Sequence, residues 1–438
     1  MSAQAAKKMQ ILGAVLLFSA LLTSYAICEE VPYKGYKIYD VQTTTRSDLK
    51  FFQTVSRDLG LDILSSPKIG RKSSVIVSPS NDEIFRSFLS KQNVTHKLLQ
   101  GDIQRLIDHE RNSNDIHIRK RRTVQQNDTI PIVNFNGANF EYFWSLNDIY
   151  KYLNTLNEKY PNLVKVVDHG TTHENRSIKV ITISTNGKVN GSRPIVLLDG
   201  GIHAREWASH MAVVYLIYQL VERSAENMDL LNNTDWVIMP VVNPDGYEYT
   251  QKDRLWRKNR SPNNNTVCFG TDLNRNFPIG WGNFGSECSV GYAGASPASE
   301  HETQALIRLM EKYSNATKVY LTVHSCGDFI LYPFGYKYET APNKKQLQSL
   351  GEQAAAAVRA INGPLYSVGS SSALLYPANG SDDYIYECLN VEYAYTLELS
   401  CGDSNKSSIF IISIAEMQRI NKEAFEMFKV FGKFAGNK

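Results

Sequence analysis

Charge imbalance is missing from this chain. Its 438 residues carry a net charge of only +3. Neither a basic helix nor an aromatic RNA-binding motif occurs, so nucleic acid is excluded as a partner. Long apolar runs are also absent, except at the start. Lys7 and Lys8 precede an apolar stretch over 11–22, which the small-x-small sequence Ser24-Tyr25-Ala26 follows. That order predicts a secretory signal peptide over 1–26, with a core too short for a comfortable membrane span. No later segment is long and apolar enough to cross a bilayer, so a secreted, extracellular product without a membrane partner is expected. Internal repeats are absent, as is the G-x-S-x-G elbow that a serine hydrolase would carry.

Cysteine is scarce, with six residues in all, and in a secreted chain these read as disulfides. Cys268 and Cys288 flank a Gly/Asn-rich loop and are natural partners. Cys326 and Cys401 each fall just past a predicted strand and can bridge if those strands are neighbours. Cys388 then stays free, and Cys28 lies near the signal cleavage point. Sequons at Asn93, Asn127, Asn175, Asn232 and Asn315 fit secretion.

What is present is ordinary for a globular protein, 42% apolar and 21% charged residues, with length enough for two or three domains. Residues 31–113 read as a small α/β unit with strands in YKGYKIYDV and SSVIVSP and helices over 48–59 and 81–90. A charged stretch follows, ending in Arg119-Lys120-Arg121-Arg122. Basic residues on an exposed linker are what trypsin-like or furin-like proteases cut. The expected division is therefore a signal peptide over 1–26, a removable pro-segment over 27–122 cut after Arg122, and a main domain over 123–438. Beyond residue 133 helix and strand alternate, the pattern of an α/β fold. Ser145 caps a helix bearing Leu146, Ile149, Leu153 and Leu156. Strands are expected over 164–168, 178–184, 235–242, 318–323 and 393–397. N-P-D-G-Y (243–247) reads as a turn, and Ser299 with Glu302 as a capping box.

The centre of the chain is IVLLDGGIHAREWASH (195–210). A short β-branched run closed by Gly200-Gly201 reads as a buried strand, and helical apolar spacing follows from Trp207. His203 and Glu206 thus sit at the carboxyl end of a strand, where open α/β sheets collect ligands. His324 and Glu398 end two later strands. Two histidines and one glutamate give zinc three ligands with a position left for water, and the other glutamate is available as a general base.

The ordered motifs H-A-R-E-W, N-P-D-G-Y, R-L-W-R-K-N-R, D-L-N-R-N-F, H-S…L-Y-P-F-G-Y, Y-P-A-N-G-S-D-D-Y and T-L-E-L resemble the zinc metallocarboxypeptidases. The likeness is to the secreted digestive A/B type made as proenzymes, and it covers 140–431 strongly. It implies a three-layer α/β/α catalytic domain around a mixed eight-stranded sheet, behind a small α/β pro-domain. One Zn²⁺ per chain would be held by His203, Glu206 and His324, with Glu398 as base and acid and Arg257 polarising the scissile carbonyl. Asn274, Arg275 and Tyr376 would bind the terminal carboxylate of a peptide or protein substrate, with Arg205 along the same groove. A planar guanidinium that engages both carboxylate oxygens suits that task. Asp382 matches the pocket-floor position, apolar in A-type and Asp in B-type enzymes, although a gapless count puts Asp383 there. With Gly335 leaving room, C-terminal Lys/Arg is favoured over apolar residues, while Ser371 on the pocket wall speaks for the A-type alternative. Cys326 stands where vertebrate enzymes usually carry tyrosine, and Ser400-Cys401 replaces an Arg-Asp pair. An inactive carboxypeptidase-like binding protein would be expected to lose a ligand or the glutamate, and here all are present. A monomer is expected.

Overall fold

The computed structural model describes residues 30–64, 67–126, 138–264, 267–282, 285–401 and 410–437. The expected signal segment, Cys28 and Asn127 lie outside them.

The N-terminal unit is an antiparallel sheet of β1 (Lys37–Gln42), β2 (Asp62–Ile63), β3 (Lys72–Val77) and β4 (Thr95–Gln100), in the order β2-β3-β1-β4. Strand alternation divides its apolar residues between two faces. Tyr39, Val41, Val75 and Val77 pack on Phe52, Val55, Phe85 and Leu89 of the helices Arg46–Asp58 and Asp82–Lys91. Ile38 and Ile76 point the other way, onto Ile103 and Ile107 and onto Leu255, Phe410 and Ile411 of the main domain. The unit therefore uses both faces of its sheet, one for its own core and one for docking. The basic run belongs to a helix, Ile103–Gln126, rather than to the exposed loop expected from its charge. Ile103 and Ile107 anchor the start of that helix, and no proline or glycine interrupts it.

The main domain is a mixed eight-stranded sheet of β5 (Val164–Thr171), β6 (Ser177–Ile183), β7 (Ile195–Gly200), β8 (Asp235–Met239), β9 (Thr317–Ser325), β10 (Phe329–Tyr332), β11 (Ser367–Ser370) and β12 (Ala394–Leu399). The order is β11-β10-β12-β9-β7-β8-β6-β5, with β12, β9, β7 and β8 parallel to one another. β7 is buried throughout. Val196 and Leu198 pack towards the helices Leu146–Lys159, Trp207–Val221, Lys344–Ala360 and Ile414–Gly436, and Ile195 and Leu197 towards the helix His301–Tyr313. Those two layers over one sheet give the three-layer architecture. Cys268 is bonded to Cys288, and Cys326 to Cys401 across the ends of β9 and β12. Cys388 is free and exposed.

Two local expectations change. N-P-D-G-Y opens a helix, Pro244–Tyr249. Proline suits the first helical position, and the Asn243 side chain accepts from Gly246 N–H at 2.9 Å. The capping box at Ser299 is not formed: Glu300 is the N-cap residue, and Ser299 Oγ donates to Glu300 Oε1 at 2.6 Å. Glu302 is instead fully buried, with Asn259 Nδ2 donating to its Oε2 at 3.0 Å.

Burial pushes the Glu302 carboxyl up to about 7, against the pull of the Asn259 hydrogen bond. The folded state thus holds a proton that the unfolded chain releases above about 4.3. Stability is present at low pH and declines as pH rises through that window, by about 3 kcal/mol in all. Glu302→Gln should remove this decline. The check is thermal melting of both proteins at pH 5 and pH 8, and equal pH slopes would refute the assignment.

Candidate metal centre and active site

His203 follows β7 by three residues, and Glu206 is the N-cap residue of the helix Trp207–Val221. The turn that leaves β7 needs glycine. Gly201 has φ +65°, and a Cβ there would lie 2.4 Å from His210 Nε2. His324 and Glu398 lie directly opposite each other on β9 and β12.

His203 Nδ1 lies 2.8 Å from Glu206 Oε1, His324 Nδ1 lies 3.2 Å from Glu206 Oε2, and the two Nδ1 atoms are 3.1 Å apart. All three side chains are buried, with their ligand atoms within 4.8 Å of one another. Facing imidazole lone pairs repel unless a cation lies between them. A tetrahedral zinc with bonds of about 2.0–2.1 Å sets its ligand atoms about 3.3 Å apart. The donor set therefore fits zinc. Burial would push Glu206 up, but the two histidines hold it well below the usual carboxylate range.

Asp272, which has no assigned role in the sequence-based expectation, ties the centre to its surroundings. Its Oδ1 meets His203 Nε2 at 3.1 Å, and its Oδ2 accepts from Arg257 Nε at 3.0 Å and Nη2 at 2.9 Å. Burial opposes its charge, yet Arg257, His203 and Arg275 hold it well below the ordinary range. Its place at the head of D-L-N-R-N-F was the available signal. Arg257 also approaches Glu206 Oε1 at 3.5 Å. Burial raises the Glu398 carboxyl to about 7, although His324, Arg257 and Arg275 pull it down. Arg275 Nη2 donates to the Tyr376 hydroxyl at 2.8 Å, and Asn274 Oδ1 accepts from Ser381 N–H at 3.0 Å.

A family profile described as "Zinc carboxypeptidase" matches residues 149–427, and one described as "Carboxypeptidase activation peptide" matches 39–110. The chain belongs to the zinc carboxypeptidase family. It is a metallocarboxypeptidase, a peptide hydrolase made with an activation propeptide. It is 34% identical over 417 residues to Carboxypeptidase B of Helicoverpa zea, covering 92% of this chain and 95% of that one. It is 31% identical to Zinc carboxypeptidase A 1 of Drosophila melanogaster, covering 89% and 90%. The solved carboxypeptidase A from Helicoverpa armigera superposes with a TM-score of 0.83 at 32% identity, covering 92% of this chain and 98% of that one.

In this carboxypeptidase the propeptide reaches Arg205, one of the residues expected along the substrate groove. Arg205 is nearly fully buried, paired with Asp62 of the propeptide and stacked 4.5 Å from the Phe410 ring. The partner lies 143 residues away, which no local motif could reveal. Lys68 Nζ and Arg71 Nη1 donate to the carbonyls of Ala373 and Leu374, at the end of the short helix Ser371–Leu374 that precedes Tyr376. Glu110 holds Arg254 through Nε at 2.5 Å and Nη2 at 3.0 Å in a fully buried pair.

The two candidate pocket carboxylates differ. Asp383 Oδ1 accepts from Gly335 N–H at 2.8 Å and Oδ2 from Tyr336 N–H at 3.0 Å. Asp382 is buried, and its Oδ2 has no hydrogen-bond partner among the described residues.

Proposed function

We propose that this zinc carboxypeptidase is secreted as a proenzyme and removes single C-terminal residues from peptides, with a preference for Lys and Arg. Convergence of His203, Glu206 and His324 within 4.8 Å carries the reading of the centre. Zinc held there supplies Lewis acidity and an acidified water. Glu398 takes a proton from the attacking water and passes it to the leaving amine. Arg257, held flat by Asp272, donates to the oxygen that becomes negative. Arg275, Asn274 and Tyr376 take the terminal carboxylate, which makes the last peptide bond the one that reacts. A strong chelator should abolish hydrolysis and added zinc restore it; hydrolysis that survives full removal of the metal would sink this reading.

The Lys/Arg preference is supported by the contrast between the two aspartates. Asp383 is committed to backbone N–H groups, whereas Asp382 keeps a buried oxygen without a hydrogen-bond partner among the described residues. A buried carboxylate lacking its cation costs about 3–5 kcal/mol. Asp382→Ile should therefore shift the ratio of kcat/KM for peptides ending in Arg over those ending in Leu by about 10²-fold or more. Matched peptides ending in Arg, Lys, Phe and Leu test it. Wild-type preference for Phe or Leu would establish the A-type alternative. Wild-type preference for Arg that survives Asp382→Ile would transfer the role to Asp383.

A further inference from the structure

The two histidines of the centre are braced differently from behind. His203 Nε2 meets the Asp272 carboxylate directly at 3.1 Å. Behind His324 stands a hydroxyl: Nε2 lies 3.2 Å from Thr322 Oγ1. Thr322 Oγ1 donates to Asp199 Oδ1 at 2.9 Å, and the Tyr320 hydroxyl donates to Asp199 Oδ2. All four side chains are fully buried. Tyr320, Thr322 and His324 alternate along β9 and so share one face of the sheet. Asp199 of β7 is the register partner of Thr322.

Proton bookkeeping gives this chain a direction. A ligating Nδ1 presents a lone pair, so the ring proton of His324 sits on Nε2. An ionised carboxylate only accepts, and Thr322 has a single hydroxyl proton. That proton goes to Asp199, which leaves the Thr322 oxygen to accept from Nε2–H. Every donor in the chain then has one acceptor. The opposite tautomer would set a ring lone pair against a threonine oxygen whose proton is already committed.

We infer that Thr322 and Asp199 are positioning residues for the metal centre, fixing the tautomer and ring plane of His324 through a hydroxyl relay. The inference rests on His203, Glu206 and His324 being the zinc ligands. Partners of this kind behind metal-binding histidines are worth about 10–100-fold in metal affinity.

The test measures zinc dissociation constants of the full chain by competition with a chelating indicator, alongside melting of the metal-free protein. Thr322→Val keeps the shape and removes the hydroxyl, so zinc should bind about 10–100-fold more weakly. Thr322→Ser restores the relay and should stay within about twofold of wild type. Asp199→Asn, which keeps the volume but not the charge, should fall between them. A Thr322→Val protein that melts normally without metal and still binds zinc within about twofold of wild type overturns the inference. Should that variant fail to fold, unchanged affinity in Asp199→Asn overturns it instead. His203→Ala serves as the separate control. Zinc binding that survives in that variant removes the reading of the centre itself, and this inference with it.

Discussion

Glu398→Gln should lower kcat by about 10²–10⁴-fold, the range carried by a positioned proton-transfer group, while peptide affinity stays within about an order of magnitude. Glu398 stands across the strand pair from His324, and its carboxyl, raised to about 7 chiefly by burial, is poised to take and return a proton near neutral pH. Glutamine fills the same space and does neither. The three side chains that converge for zinc are untouched, so metal content should remain at one ion per chain. Initial rates, inhibitor binding and zinc content of the variant check this together. Substantial turnover with normal zinc content would remove Glu398 from the proton path.

Glu110→Gln should release the propeptide about 10²–10³-fold faster after the activating cut. The pair with Arg254 is fully buried, and Glu110 Oε1 also accepts from Ile412 N–H at 3.2 Å. Arg254 in turn donates to the carbonyls of Arg205 and Phe410 at 2.9 Å and 2.6 Å. Neutralising one partner leaves the other charge buried and alone, at a cost of about 3–5 kcal/mol. Asp62 would still cover Arg205, so the uncut proenzyme should stay largely latent. The measurement is the growth of activity after trypsin treatment, with N-terminal sequencing to show that the mature chain starts at Thr123. Release at the wild-type rate would mean the apolar contacts of Ile38, Ile76, Ile103 and Ile107 govern dissociation alone. A mature N-terminus elsewhere would refute cleavage after Arg122.

The parts of the fold legible in the sequence were those whose burial leaves a local period. The run Ile195 to Leu198 reads as an interior strand because β7 is covered on both faces. Ser145 reads as a cap because its partner Asp148 is three residues on. β10 and β11 were missed: they are four residues each, one followed directly by Pro333 and the other containing Gly and Ser, so neither shows an alternation long enough to count. β4 was missed because it is largely exposed. The convergence of His203, Glu206 and His324 was legible because these residues are chemically distinctive and lie at or near strand ends. Asp272, Asp199 and Thr322 were not. A buried carboxylate or hydroxyl is ordinary in sequence and acquires meaning only from the ring placed beside it. The same holds for Asp62 and Glu110, whose partners belong to the other domain.

The bond between Cys326 and Cys401 lies two residues beyond His324 and three beyond Glu398, on strands already in register. It closes a chain segment with a sequence separation of 75, which on loop-entropy grounds removes about 4.5 kcal/mol of freedom from the denatured ensemble. The two strands it joins are interior to the sheet, while β10 and β11 form one margin. Fraying from that margin can therefore proceed without separating His324 from Glu398. Heat and proteolysis would reach the rim of this enzyme well before they parted these two side chains.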